Sequence, residues 1–224
     1  MDNAGIYATT RCELVRLASR LDDAKTERSV QALPGWSVHD AFAHLVGVCA
    51  DVADARMEGA GTPEWSDRQV RLRNGSSLAT IVEEWEERGP ELDRWLRAQG
   101  DTSTMFVVFD VWNHQHDIRS TVDEPRGSDD GRVAYLVDRA WPSYGDRYAT
   151  LGAPPLRIVG TRKSYLLGTG EPGATLRAED YELLRILFGR RSRAQIEQAD
   201  WSDDPAPYVD AIHLFDLPER DLFD

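Results

Sequence analysis

The chain has 224 residues, which is enough to bury a hydrophobic core as one large domain or two small ones. Its 39 acidic residues outnumber the 26 basic ones, and the formal net charge of −13 argues against nucleic acid and against anionic membrane surfaces as partners. No apolar run approaches the length of a membrane span, so we expect no membrane partner of any kind.

The first part of the chain predicts two helices. Leucines at helical spacing predict the first over Ile6–Asp23. After a break at Pro34-Gly35, Ser37 is a good N-cap residue, and Asp40 completes a pattern close to a capping box. The apolar stripe that follows predicts a second helix, which should end at the glycine-rich turn of residues 59–63.

Two further helices are predicted before residue 124. Residues 64–75 are interpreted as a crossing segment, with a short helix opened by Thr62 and Pro63. Ser77–Ala98 has the apolar spacing of a third long helix, in which Gly89-Pro90 should cause a kink or a split. A fourth helix is predicted to run to about Val122.

The character of the sequence changes after a stretch rich in Asp, Gly, Pro and Ser. We interpret Asp123–Gly131 as a linker, which gives predicted domains at residues 1–124 and 131–224. The second domain is predicted to be small and of the α+β type. Its predicted elements are a helix over Arg132–Tyr148, a β-hairpin formed by Pro155–Val159 and Ser164–Leu167, a short strand at Ala174–Leu176, and an amphipathic helix over Glu179–Phe188 that ends at Gly189.

The densest group of functional side chains lies in the fourth predicted helix. Asp110, His114 and Asp117 stand at i, i+4 and i+7, so they share one helical face. A carboxylate and an imidazole one turn apart can bind a single cation, and His44 on the second helix is the best candidate for a third ligand. Two imidazoles and one carboxylate suit Zn²⁺, although the same set also serves Fe²⁺. A lone helical histidine is more often an ordinary hydrogen-bonded residue, so the prediction depends on all three together.

Other residues near these ligands have competing interpretations. Asp117 is a candidate to orient the free ring nitrogen of His114, and an ion pair with an arginine is an equal alternative. Asp40 is placed to do the same for His44, although its helix-capping role is favoured. His116 points about 160° away from His114 on a helix and is interpreted as exposed.

The two cysteines are not predicted to carry chemistry. Cys12 and Cys49 have no close spacing and lie among apolar residues, so both are interpreted as small buried hydrophobes. Charged side chains begin the chain where a secretory signal would be apolar. These features together favour a cytoplasmic location.

The segments Trp36-x3-Asp40-x3-His44-Leu45 and Asp110-x3-His114-x2-Asp117-x-Arg119 together resemble the mycothiol-dependent maleylpyruvate isomerase family. The resemblance implies a four-helix bundle of the DinB type followed by a small α+β domain. It also implies a metal bound by His44, Asp110 and His114, with mycothiol as a thiol cofactor. In the family the first acid of the second motif is usually glutamate, and the shorter Asp110 puts the strength of metal binding in question.

The second half of the chain carries a further part of the resemblance. The segment Phe188-Gly189-Arg190 is similar to a loop from which, in the family, an arginine faces the metal groove, and Arg190 matches it best. A guanidinium suits a carboxylate substrate because it pairs bidentately and keeps its charge. The resemblance therefore implies a metal-dependent isomerase or thiol S-transferase that acts on a small electrophilic, anionic substrate. The alternative is a non-catalytic bundle with a degenerate metal site, which binds a ligand or a partner. The sequence assigns no residues to the thiol itself.

Overall fold

The computed structural model describes residues 1–124, 126 and 131–224, which form two compact units. The first unit spans Met1–Arg126 together with Asp224, and the second spans Gly127–Phe223. Most of the predicted linker lies outside the described residues. The chain is mainly α-helical with a small sheet in its second half, which confirms the predicted fold class.

The first unit is a four-helix bundle with two additional short helices. The helices are α1 (Asn3–Ala18), α2 (Asp23–Thr26), α3 (Val38–Ala53), α4 (Pro63–Arg73), α5 (Leu78–Ala98) and α6 (Asp101–Thr121). Helices α1 and α3 each pack against both α5 and α6, and α4 packs on α3. The core between them is apolar and includes Leu14, Phe42, Trp85, Leu92 and Val111.

Side-chain caps fix where the central helices begin. Ser37 and Asp40 form a complete capping box at the start of α3, as the sequence predicted. Thr62 accepts a hydrogen bond from the Trp65 amide, and Pro63 occupies the first turn of α4. The crossing segment is therefore a helix, and it carries its buried face against α3.

Two predicted helix ends were wrong. The first helix ends earlier than predicted, at Ala18, and Asp22 caps a separate short helix, α2. Helix α3 ends earlier than predicted, at Ala53, where Ala55 adopts a left-handed conformation with φ 56°. Helix α5 continues through Pro90, so Gly89-Pro90 does not split it. A proline inside a helix costs about 3 kcal/mol, whereas each large apolar side chain that α5 buries stabilises by roughly 1.5–3 kcal/mol, so burial along the helix outweighs the break.

The second unit combines helices with a small mixed sheet. Its described elements are α7 (Arg132–Thr150), β1 (Leu156–Val159), β2 (Ser164–Leu167), β3 (Ala174–Arg177), α8 (Asp180–Leu187), α9 (Arg193–Glu197), β4 (Asp200–Trp201) and a short 3₁₀ helix (Val209–Ala211). The strand order is β2-β1-β3-β4, and the predicted hairpin of β1 and β2 is antiparallel. Strand β3 pairs with β1 in parallel, and α7 packs against α8 and β2.

The turn after α8 requires glycine. Gly189 has φ +67°, and a Cβ there would lie 2.7 Å from the carbonyl oxygen of Phe215. This turn leads into the loop that holds Arg190. In the part of the chain that the structure describes, no helix combines the length and the apolar character needed to cross a membrane.

Candidate metal centre

The predicted ligands meet between two adjacent helices of the bundle. His44 lies in the middle of α3, and Asp110 and His114 lie one turn apart on α6. Both histidines are buried, whereas Asp110 is half-buried. The helical spacing that puts Asp110 and His114 on one face therefore directs both of them at α3.

The three side chains converge on one point. Oδ1 of Asp110 lies 3.3 Å from Nε2 of His44 and 3.3 Å from Nε2 of His114. One ligand atom from each residue lies within 4.8 Å of the other two. Asp110 is shorter than the glutamate expected from the family, yet its carboxylate reaches both imidazoles.

The donor set fits a divalent cation. Oδ2 of Asp110 is buried without a hydrogen-bond partner among the described residues. A buried carboxylate oxygen without a partner is costly unless a cation or a donor satisfies it. Two imidazole nitrogens and a carboxylate, with further positions open, form the ligand set of a catalytic rather than a closed structural zinc site.

Electrostatics within the cluster also fit a cation. Burial lowers the pKa of His114, but the Asp110 carboxylate and then Asp117 outweigh it and raise that pKa to about 9. Burial raises the pKa of Asp110, but His44 and His114 outweigh it and hold that pKa well below its usual range. In the absence of metal, the proton on His114 supplies the positive charge that the carboxylate requires, and a bound metal ion would replace this proton.

Each imidazole is oriented through its other ring nitrogen. Nδ1 of His114 lies 3.2 Å from Oδ2 of Asp117, the acid in the position that the sequence suggested. Nδ1 of His44 lies 2.7 Å from Oε1 of Gln69 on α4. Both Nε2 atoms are thereby directed toward Asp110.

Asp40 does not make the contact with His44 for which it was considered. Its carboxylate accepts hydrogen bonds from the backbone and the hydroxyl of Ser37 in the capping box. Gln69 occupies the place against His44 instead. The capping role that was favoured for Asp40 is the one it has.

Gln69 was missed by sequence reasoning. It is 1% exposed and lies on the buried face of α4 together with Trp65 and Arg73. That spacing of i, i+4 and i+8 was the available signal, because a glutamine between two buried positions of a short helix must have a partner. Only the packing of α4 against α3 identifies His44 as that partner.

Two tryptophans border the imidazoles. The ring of Trp36 lies 5.0 Å from that of His44 and 6.4 Å from that of His114, and Trp65 meets His44 edge-on at 6.2 Å. Trp36 is partly exposed, and it packs against both candidate imidazole ligands.

Two predictions of side-chain burial were wrong: His116 was expected to be exposed and Cys12 to be buried. His116 is 6% exposed and packs edge-on against Trp112 at 4.5 Å, because α6 is buried around its whole circumference from Val111 to Ile118. Cys12 is exposed, whereas Cys49 is buried as predicted. Burial raises the pKa of the Cys49 thiol to about 12, because it outweighs the hydrogen bond with Tyr7 and the charges of Arg11 and Arg88, which lower that pKa. The thiol is therefore kept unreactive.

Gly47 makes room for Gln69. A Cβ on Gly47 would lie 2.4 Å from Cβ of Gln69, an atom too close to the backbone to move cheaply. We expect Gly47→Ala to lower the free energy of unfolding by about 1–3 kcal/mol, the usual cost of overpacking. Gly145→Ala is the matched control, because it is also helical but has open space around it, and it should stabilise by up to about 1 kcal/mol. Urea unfolding of both variants measures this, and equal stability of Gly47→Ala and the wild type would contradict the packing described.

Arg190 lies in the loop between α8 and α9 of the second unit. It is 8% exposed, and its Nη1 donates to the carbonyl oxygen of Phe188. The neighbouring Arg191 forms a bidentate ion pair with Glu182 at 2.7 and 2.8 Å and donates to the carbonyl oxygen of Arg190, so Arg191 holds the loop in shape. Arg193 pairs at the surface with Asp210 and Glu197.

Comparison with known proteins gives one family and two similar structures. The model of the family described as the mycothiol maleylpyruvate isomerase N-terminal domain matches residues 8–119, which include all three candidate ligands. A histidine-to-alanine mutant of the mycothiol-dependent maleylpyruvate isomerase is 12% identical with a TM-score of 0.59, and the similarity covers 84% of this chain and 88% of that chain. A second structure of the mycothiol-dependent maleylpyruvate isomerase is 13% identical with a TM-score of 0.55 and the same coverage. At these identities the similarity shows a shared fold. A comparison with curated protein sequences gives no match.

Proposed function

This chain belongs to the mycothiol maleylpyruvate isomerase N-terminal domain family, and from that premise we propose that it is a metal-dependent, mycothiol-using enzyme that acts on small electrophilic, anionic substrates. The observation that carries the proposal is the convergence of His44, Asp110 and His114 on one point. The reaction is an isomerisation through a reversible thiol adduct or the transfer of the thiol to the substrate.

In this proposal His44, Asp110 and His114 hold a divalent metal, and zinc suits them best. A bound metal would supply Lewis acidity that keeps a thiol in its nucleophilic thiolate form, which a free thiol with a pKa near 8.5 rarely adopts at neutral pH. Asp117 keeps the ring of His114 in place, and Gln69 does so for His44. The two tryptophans limit the access of water to the imidazoles from their sides.

Arg190 is proposed as the residue that binds the substrate carboxylate. The support is its position directly after the left-handed Gly189, in a loop that Arg191 and Glu182 fix. A guanidinium retains its charge throughout catalysis and offers two parallel donors to a carboxylate.

The alternative is a non-catalytic relative that binds a ligand or partner through a degenerate site. The short acid at position 110 was the reason to consider it. Because Asp110 Oδ1 lies at the same distance from both imidazoles, the shorter side chain gives no support for a degenerate site.

An activity assay with mycothiol and a panel of small unsaturated dicarboxylic acids, maleylpyruvate among them, tests this proposal. Turnover should require both the thiol and a divalent metal, and it should return when zinc is restored to chelated protein. Turnover that is unaffected by chelation would contradict the proposal. Absence of turnover across the panel, together with stoichiometric binding of metal and thiol, would favour the non-catalytic alternative.

Arg190→Ala should lower kcat/KM for an anionic substrate. Loss of a charge-assisted hydrogen bond costs about 1.5–3 kcal/mol, which corresponds to roughly 10- to 150-fold in kcat/KM. Arg193→Ala is the matched control, because Arg193 also follows α8 but pairs with acids at the surface, and it should leave kcat/KM unchanged. Equal kinetics of the Arg190→Ala and Arg193→Ala variants would contradict a role for Arg190 in binding the substrate.

A further inference from the structure

Gln69 links a candidate metal ligand to a remote buried carboxylate. Its Oε1 lies 2.7 Å from Nδ1 of His44, and its Nε2 donates to Oδ2 of Asp51 at 2.9 Å. His44 and Asp51 lie two helical turns apart on α3, and Gln69 reaches both from α4. All three side chains are buried, so none of these hydrogen bonds is exchanged readily for water.

Asp51 is held by two arginines in addition to Gln69. Arg56 Nε donates to Oδ1 at 3.0 Å, and Arg68 Nη2 donates to Oδ2 at 3.3 Å. The left-handed turn that ends α3 brings Arg56 back over the helix, since the Arg56 amide bonds the carbonyl oxygen of Asp51 at 2.8 Å. A carboxylate in this setting only accepts hydrogen bonds.

The acceptor character of Asp51 determines which way the Gln69 amide faces. With its NH₂ group toward Asp51, the amide must present its carbonyl oxygen to His44. The reversed amide would place two oxygens against each other in a buried site, at the cost of an unsatisfied polar group.

The amide in turn determines the tautomer of His44. A carbonyl oxygen 2.7 Å away requires a proton on Nδ1, so Nε2 is the ring nitrogen left to bind a metal. That nitrogen faces Oδ1 of Asp110 at 3.3 Å, a spacing that a proton or a metal ion can bridge. The Nδ1 proton that a metal-bound His44 requires is therefore in place before the metal arrives.

We propose that Asp51 and Gln69 are positioning residues that fix the Nδ1-protonated tautomer of His44 and so prepare its Nε2 as a metal ligand. The link to metal rests on the proposed function, whereas the tautomer itself does not. The Nδ1 atoms of the two imidazoles are held in different ways. Asp117 contacts Nδ1 of His114 directly, whereas Asp51 acts on Nδ1 of His44 through Gln69.

Two variants interrupt the relay, the pair of hydrogen bonds that joins Asp51, Gln69 and His44, at different points. Asp51→Asn keeps the shape of the side chain but allows the Gln69 amide to adopt either orientation, so His44 should populate both tautomers. Gln69→Met removes the acceptor itself while roughly conserving the side-chain volume. Each should weaken zinc binding by about 10- to 100-fold, the usual effect of removing a group that orients a ligand. Asp54→Asn is the matched control, since the ion-pair partners of Asp54 among the described residues are Arg56 and Arg88, and it should leave zinc affinity unchanged.

The tautomer is measured by long-range ¹H–¹⁵N correlation spectra of chelated protein, recorded at the alkaline end of the pH range in which the protein stays folded. Wild-type protein should show a single Nδ1-protonated species at His44, and both variants should lose it. The double variant should bind zinc no more weakly than Gln69→Met alone, because Asp51 acts only through Gln69. A purely structural role for Asp51 would instead give additive losses.

The results separate this proposal from the proposed function. Wild-type protein that binds no zinc while showing the predicted tautomer would refute the metal site and leave the relay intact. An unchanged His44 tautomer in Asp51→Asn would overturn the relay even if zinc binds tightly. If Asp51→Asn does not fold, an unchanged tautomer and unchanged zinc affinity in Gln69→Met would overturn it equally.

Discussion

Alanine at His44 or at His114 is expected to abolish stoichiometric binding of a divalent metal. Each histidine supplies one of only two imidazole nitrogens in the cluster, and the remaining pair of ligands is too few to hold an ion. Removing a residue that merely orients a ligand costs about 10- to 100-fold in affinity, so loss of the ligand itself should cost more. The measurement is the metal content of dialysed protein together with titration calorimetry.

The helices should survive both substitutions. Both histidines lie inside helices whose stability comes from packing, and alanine has the most favourable helix propensity, so the circular dichroism of metal-free protein should remain nearly unchanged. His213→Ala is the matched control, because the ring of His213 hydrogen-bonds to the carbonyl oxygen of Phe215 and lies outside the cluster. Undiminished metal content in either His44→Ala or His114→Ala would eliminate the proposed ligand set.

Mycothiol is expected to stabilise the metal-loaded protein and to have little effect on chelated protein. A ligand that binds only the folded state stabilises it by about 2.7 kcal/mol at a hundredfold excess over Kd. For a chain of this size each kcal/mol raises Tm by about 2–4 °C, so the expected shift is roughly 5–10 °C. Thermal melting of loaded and chelated protein, each with and without mycothiol, gives the four values required.

Two controls identify the atom responsible for that shift. S-methylated mycothiol should give a smaller shift, because a thioether cannot become a thiolate. Arg190→Ala should retain the full shift, since Arg190 is assigned to the second substrate. Equal shifts of loaded and chelated protein would mean that the sulfur does not bind the metal, and no shift in either would favour the non-catalytic alternative.

The convergence of the candidate ligands could be predicted because most of their geometry is local. Asp110, His114 and Asp117 belong to one helix, so spacing alone puts them on one face, and the contact of Asp117 with His114 follows from the same spacing. His44 required a second helix to be aligned with the first, and the family motif supplied that alignment. The start of α3 was predictable for a similar reason, because the capping box of Ser37 and Asp40 is a short-range pattern.

The parts that could not be predicted depend on packing between segments distant in sequence. Gln69 contacts His44 only because Gly47 lets α4 approach α3, and no short-range pattern contains that information. His116 was expected to be exposed because helical periodicity identifies one buried face, whereas this part of α6 is buried on every side. Gly89-Pro90 was expected to kink or split α5, but the helix is not split, because the burial of Trp85, Leu92 and Leu96 outweighs the local cost of the proline.

X-ray absorption at the zinc edge, with and without mycothiol, tests the central claim most directly. The account predicts imidazole nitrogen and carboxylate oxygen neighbours at about 2.0–2.2 Å in zinc-loaded protein, and a new sulfur neighbour at about 2.3 Å once mycothiol is added. Cys12 and Cys49 do not belong to the cluster, so a sulfur that appears only with mycothiol must come from the thiol. A zinc spectrum without histidine scattering, or one to which saturating mycothiol adds no sulfur, would contradict the account.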